Sequence, residues 1–482
     1  MRCAALRDTT LQCDCSRVVE KRPFKGRAQC TAERALAPAR PHKSGPPSFV
    51  LQNSLSITLA PHAESSVSRL PRYHQSAMAP TKFLLQEFPW HERYRVSDPE
   101  RVLTPALALY PDAIASNIRC TLDLLAGRAD RWRAHIKTAK LNYTLRMLID
   151  RGVRNLKCAT TLELLQACQT GATDVLVAFP LMGANAHRVR EINNQHPGVR
   201  ISVLAENEAQ VHQWRGADVG IFLDINPGMN RTGIEQSSRQ YVVELAQAVS
   251  QSGLEFRGLH YYDGQFGAVA EPQRTKAAHA GYDQLLGLVR DLEAAGIHVP
   301  EVVTAGTPTL PCSIAYPGFD NANFLHRVSP GTVVYHDATS LTQFPPEYGY
   351  APAALVIARV ISHPQPNIIT CDAGHKAVSA DAGVPTSVVV GHPELTPLSP
   401  SEEHLPFAVS EGPNSPQVGD ILYLIPRHVC PTVNNFDAAL ILRNGQVESV
   451  EEVSARGHEG PLLNQTVVGS ATVESIAERI EK

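Results

Sequence analysis

Leu156-Lys157-Cys158-Ala159-Thr160-Thr161-Leu162-Glu163-Leu164-Leu165-Gln166-Ala167-Cys168-Gln169-Thr170-Gly171 reads as one strand and one helix in sixteen residues. Residues 156–159 make a short run of strand length. Residues 161–170 carry helical spacing and stop at a glycine. Downstream the unit repeats, with strands at 174–178, 200–204, 219–225, 255–261, 301–304 and 327–329 and helices between them. Upstream, 105–110 is an apolar strand. A helix follows it, with Ile114, Ile118, Leu122 and Leu125 at helical spacing. A strand then runs into Lys137, and 141–151 is the next helix, closed by Gly152. About eight strands alternating with helices predict an α/β chain with a parallel (β/α)8 TIM-like barrel.

Beyond residue 350 the pattern changes. Strands at 353–362, 368–372, 387–390, 421–424 and 438–442 have no helices between them, and Gly419-Asp420 and Asn444-Gly445 mark turns. This predicts a second, mostly antiparallel β domain, interrupted by a Pro- and Glu-rich loop over 393–416. The expected organisation is an N-terminal extension over 1–82, the barrel over 83–345, the β domain over 346–456 and a tail over 457–482.

The chain is 43% hydrophobic and 19% charged with a net charge of -3, so no partner among nucleic acids or anionic membranes is expected. No apolar run is long enough to span a bilayer. Residues 1–80 hold twelve Lys+Arg against five Asp+Glu, leaving -10 on the remainder. This start has no hydrophobic periodicity and is expected to be disordered. The reading adopted is an extension of no structural role, upstream of a natural start at Met78, in a cytoplasmic protein. An organellar transit peptide is the alternative. Cys120, Cys158, Cys168, Cys312, Cys371 and Cys430 are scattered singly, which points to reduced thiols and not to a disulfide framework.

In a barrel the chemistry gathers at the C-terminal ends of the strands, and Lys137, Arg231, Tyr262, Gly306 and Gly331 all fall at or just past such ends. A lysine there is partly desolvated, and Arg133 and His135 are expected to depress its pKa further by like charge. Such an amine forms a Schiff base with an aldehyde. Thr304-Ala305-Gly306-Thr307-Pro308-Thr309 and Ser329-Pro330-Gly331-Thr332 follow the last two strands. Both offer bare amides and hydroxyls suited to a phosphate. Asp224-Ile225-Asn226-Pro227-Gly228-Met229-Asn230-Arg231-Thr232-Gly233 sets a guanidinium between glycines, where it can meet a phenolate or carboxylate. Taken singly, each of these also reads as an ordinary strand edge, tight turn or surface loop.

Together, Arg133-Ala134-His135-Ile136-Lys137-Thr138, the Gly228–Gly233 loop, Thr304–Thr309 and Pro330-Gly331-Thr332 resemble the alanine-racemase-type barrel enzymes that use pyridoxal phosphate. The branch resembled is the D-serine dehydratase and D-threonine aldolase family, over about residues 100–455. The resemblance makes Lys137 the catalytic Schiff-base lysine and sets Arg231 at the cofactor's phenolic oxygen. It puts Gly306, Thr307, Gly331 and Thr332 on the phosphate, with Tyr262 and His135 beside the cofactor. Ala134 stands where the family often has proline.

His428-Val429-Cys430 places an imidazole and a thiolate two residues apart on a segment read as extended. Alone, a core histidine beside a buried thiol is the ordinary reading, since a zinc site needs three or four ligands. The resemblance reverses it, because this branch carries a His-x-Cys or His-x-Asp pair as its only protein ligands, with zinc favoured by the soft thiolate.

The implied activity is a pyridoxal phosphate- and metal-dependent lyase on a 3-hydroxy-D-amino acid, with D-serine dehydration to pyruvate and ammonia preferred. Retro-aldol cleavage of the D-threonine type is the alternative. Cys430 resembles the dehydratase pattern. Tyr262-Asp263-Gly264-Gln265 is closer to the aldolases' Tyr-Glu-Gly-His, although Gln265 cannot transfer a proton as that histidine could. A racemase would not need the metal pair, and a non-enzymatic cofactor carrier would not need the β domain. A homodimer is expected by resemblance alone.

Overall fold

The computed structural model describes residues 88–410 and 415–463. The readings for 1–82 and for most of 457–482 lie outside the described residues. Strands in chain order are β1 (Ala106–Leu109), β2 (Arg133–His135), β3 (Asn155–Cys158), β4 (Asp174–Val177), β5 (Arg200–Ala205), β6 (Gly220–Asn226), β7 (Ile234–Glu235), β8 (Glu255–Tyr261), β9 (Glu301–Thr304) and β10 (Leu325–Val328). Parallel pairing runs β2-β3-β4-β5-β6-β8-β9-β10, and the two-residue β7 hangs on β6. A parallel bridge from Trp132 to Val328 brings the two ends of the sheet together. The eight-stranded parallel barrel read from the sequence is present.

The quoted unit follows its local rules. Thr160 caps the helix Thr161–Thr170 by accepting from the Glu163 amide, and Glu163 reaches back to the Ala159 amide. This is close to a capping box, with the return bond made one residue before the cap. Gly171 ends the helix at φ +102°, a conformation glycine adopts without penalty.

The second sheet contains β11 (Ala354–Gln365), β12 (Ile368–Cys371), β13 (Ser387–Val389), β14 (Leu395–Pro397), β15 (Leu405–Val409), β16 (Ile421–Pro426), β17 (Ala438–Arg443) and β18 (Gln446–Glu452). Its order is β14-β15-β12-β11-β1-β17-β18, with β16 on β11 and β13 on β16. Two readings need correction. The first apolar strand, at 106–109, leaves the alternating run and joins this sheet, antiparallel to β11 and parallel to β17. The Pro-rich segment after 393 is not one loop, because β14 and β15 pair within it. The six cysteines after residue 80 are all free.

The barrel interior is layered. At the N-terminal ends of the strands, Arg133 donates to Glu301 and Asp174, with Arg257 on Asp174 and Arg327 on Glu301. Burial opposes the charge on Asp174, but Arg133 and Arg257 outweigh it and hold the carboxyl well below the usual range. Above this ionic floor, Leu176, Leu204, Phe222 and Val303 form an apolar plug. Arg133 is therefore committed to the floor and does not flank Lys137 as expected, because strand alternation turns it inward at the far end of β2.

Candidate active site

Above the plug the strand ends open onto a cluster of polar side chains. Lys137 lies in the turn that follows β2. Its Nζ is 5.8 Å from the centre of the Tyr262 ring, which lies just past β8. The Arg231 guanidinium is 5.0 Å from the same ring. Ala178, Leu204, Asp224, Pro227, Arg231, His260 and Tyr262 line a shared pocket. His135 is kept neutral, because burial and the charges of Lys137 and Lys157 all disfavour its cation. Lys140 is tied away from the site by Glu163, 2.9 Å from its Nζ.

The two glycine-bearing loops sit where they were expected, but their glycines work by making room. A Cβ on Gly306 would lie 2.8 Å from the Tyr262 ring. A Cβ on Gly331 would collide with the His135 carbonyl. The Gly306 amide donates to Thr309 Oγ1 at 3.2 Å and so is turned into its own loop. Thr307 Oγ1 is buried without a partner. A buried hydroxyl lacking a partner is costly, and a phosphate oxygen would satisfy it. These residues fit a phosphorylated aldehyde cofactor on Lys137.

The distant stretch meets this cluster. His428 caps the short helix Val429–Asn434, so Cys430 lies in a first helical turn and not on an extended segment. Cys430 Sγ is 2.9 Å from Thr138 Oγ1 and 3.4 Å from Thr332 Oγ1. Thr332, assigned above to the phosphate, thus also faces the thiol. His428 Nδ1 is 2.6 Å from Asp381 Oδ2, which leaves Nε2 as the nitrogen open to a metal. Burial opposes both charges, yet the two neighbours favour each other's ions, raising the imidazole and lowering the thiol. Among the described residues no set of three or more His, Cys, Asp or Glu side chains could hold a metal ion. A metal here would have these two ligands and take the rest from water or substrate.

Two residues of the site, Lys157 and His260, were not read from the sequence. Lys157, the third residue of β3, points into the barrel and bonds Ser329 Oγ. The signal was a charged residue in a buried strand, where it must face either the core or the site. His260 Nδ1 is 2.8 Å from Asp224 Oδ1, and its Nε2 is buried without a partner. Asp263 turns away, accepting from Tyr282 and Thr309 at 2.5 Å each. Gln265 donates to the Pro227 carbonyl at 2.8 Å and so braces the Arg231 loop.

Two family models match, the alanine racemase N-terminal domain over residues 110–339 and the serine dehydratase domain over 353–442. The chain thus carries an alanine racemase N-terminal domain followed by a serine dehydratase domain, and it is similar to pyridoxal phosphate-dependent lyases of the D-serine dehydratase and D-threonine aldolase type. The D-threonine aldolase of Arthrobacter sp is 27% identical over 368 residues, covering 74% of this chain and 93% of the relative. The 3-hydroxy-D-aspartate aldolase of Paracoccus denitrificans is 29% identical over 384 residues, covering 75% and 94%. Among solved structures, D-threonine aldolase from Filomicrobium marinum aligns with TM-score 0.68 and 27% identity over 74% of this chain and 96% of that one. D-threo-3-hydroxyaspartate dehydratase from Delftia sp. HT23 shares the fold at TM-score 0.63 and 21% identity over 74% and 98%. Among the described residues no helix is long and apolar enough to cross a membrane.

Proposed function

We propose that this lyase removes the β-hydroxyl of a 3-hydroxy-D-amino acid, with D-serine as the simplest substrate, using pyridoxal phosphate on Lys137 and a divalent metal on His428 and Cys430. When bound, the cofactor supplies an electron sink for the carbanion at Cα, and the metal supplies a Lewis acid at the β-oxygen. The chain does the rest. Thr307, Gly331 and the neighbouring backbone would hold the phosphate. Arg231 would meet the cofactor's phenolic oxygen, and Tyr262 would pack beside its ring. Lys137 would hold the cofactor, and its amine is the group placed to act as general base at Cα. His428 and Cys430 would hold the metal, and the soft thiolate would favour zinc.

The observation that carries this reading is Cys430 Sγ at 2.9 Å from Thr138, the residue after Lys137. It sets a soft metal donor beside the amine. A D-threo-3-hydroxyaspartate dehydratase of this fold has also been solved with a histidine changed to alanine and, two positions on, with a cysteine changed to alanine in a metal-free form. That spacing matches His428 and Cys430. Gln265, which cannot move a proton, also supports elimination over cleavage.

A second reading, retro-aldol cleavage, is favoured by the aldolase relatives at 27–29% identity. Incubation with D-serine and with D-threonine, each with and without a chelator, separates the two. Pyruvate from D-serine supports the dehydratase, and glycine with acetaldehyde from D-threonine supports the aldolase. Absence of visible cofactor absorption in the wild type, or its survival in Lys137→Ala, overturns the cofactor assignment. The homodimer implied by the family is tested by sedimentation.

A further inference from the structure

Lys157 has no task in the chemistry above, yet it is costly to place. It is 1% exposed. Its register partner on β4 is Leu176, a member of the apolar plug. An aliphatic side chain would fill that position without cost, whereas a buried ammonium loses its hydration. Its hydrogen-bond partner is a hydroxyl, Ser329 Oγ, and not a carboxylate.

Ser329 passes the contact on. Its hydroxyl donates to the Ala305 carbonyl at 2.9 Å. Ala305 is buried at φ +62°, a left-handed conformation in which Cβ crowds the carbonyl oxygen. The Ala305 carbonyl and the Gly306 amide share one rigid peptide plane. Fixing that carbonyl therefore fixes where the Gly306–Thr307 segment starts. Ser329 itself leads into Pro330-Gly331-Thr332. A single ammonium thus ties the roots of both loops together, 5.5 Å from the Tyr262 ring they support.

We propose that Lys157 is a positioning residue for the cofactor's phosphate, setting the Ala305–Gly306 peptide through Ser329 and placing a positive charge at the root of both loops. This rests on the reading that Lys137 anchors pyridoxal phosphate. Burial, and then the charge of Lys137, push the Lys157 amine down to about 7. Arg133 works in the same direction and Asp224 and Asp263 oppose it, while His135 and His260 face it. A phosphate dianion would favour its cation.

The test is titration of the cofactor-free wild type, Lys157→Met and Ser329→Ala with pyridoxal phosphate and with pyridoxal, followed by visible absorption. Lys157→Met is expected to lose about tenfold or more in affinity for pyridoxal phosphate and little for pyridoxal. Ser329→Ala should lose in the same direction by less. Equal loss of both forms, as a purely structural role would give, overturns the proposal, and so does no loss of either. A wild type that absorbs with neither form overturns the Lys137 reading and this one with it. A wild type that absorbs while the affinity ratio is unchanged in the variants overturns this one alone. Should Lys157→Met fail to fold, Ser329→Ala carries the same comparison.

Discussion

Thr138 Oγ1 lies 2.9 Å from Cys430 Sγ, although 292 positions separate them in the chain. The hydroxyl belongs to the turn that carries Lys137, and the thiol to the helix after β16. Through this contact the amine and the thiol keep a fixed spacing. Cys430→Ala is therefore expected to lose its bound metal by elemental analysis and to lose turnover by on the order of 100-fold or more. Its visible cofactor absorption should persist. Loss of that absorption along with the metal would mean the pair supports the cofactor and not the substrate hydroxyl.

Asp381 holds His428 through Nδ1 at 2.6 Å. A carboxylate on the far nitrogen of a metal-binding imidazole fixes its orientation and raises its basicity. Asp381→Ala should weaken metal affinity by about 10- to 100-fold, measured by competition with a chelating dye. The folding midpoint in urea should move little, because the aspartate is about half exposed and screened by solvent.

Lys157 makes a prediction about stability. Its amine is ordinarily protonated up to 10.5 and in the fold only up to about 7. Between those values the unfolded chain holds a proton that the fold does not, so stability rises with pH across this window. Below it the fold carries the full cost of burying the charge, a few kcal/mol at most. Lys157→Met in the cofactor-free protein should thus melt higher than wild type at pH 7, and the gap should close towards pH 10. Calorimetry at several pH values reads this directly. A constant gap would show that packing and not charge is responsible.

The ionic floor behaves in the opposite way. Glu301 faces Arg133, Arg257 and Arg327, and its side chain is 4% exposed. Glu301→Gln leaves buried guanidinium charge without its counter-ion, which costs about 3–5 kcal/mol. The urea midpoint should fall accordingly. Asp174, held ionised, stabilises the fold above the usual carboxylate range, and this contribution is lost as pH falls through its depressed folded value. Stability in urea should therefore start to fall as pH drops past about 4, the usual aspartate range, and keep falling below it.

The parts of the site legible in sequence share one property: they sit immediately after strands. Lys137, Arg231, Tyr262, Gly306 and Gly331 could be placed because a strand end in a barrel specifies a location. Lys157 could not, since alternation along β3 says only that it points one way or the other. The same limit hid β1. A four-residue apolar strand before a helix reads identically whichever sheet it joins, and its partners β11 and β17 lie hundreds of residues on. β14 and β15 were masked by prolines, which are tolerated here because both strands lie towards the end of the sheet. His428 and Cys430 were proposed on family resemblance, and their spacing alone does not separate a ligand pair from a buried thiol beside a core histidine.

The placement of β1 has a consequence for how the molecule is made. Ala106 pairs with Ile357, a separation of 357 − 106 = 251 residues. During synthesis the strand leaves the ribosome early and waits through the whole barrel for its neighbours. Contacts this distant are slow to form. The helix bearing Cys430 comes later still, so the thiol reaches the Lys137 turn only when the last sheet has closed over an early strand. A chain cut short in translation can build barrel strands but cannot assemble the complete reaction centre. The chemistry is thereby reserved for molecules that have been finished.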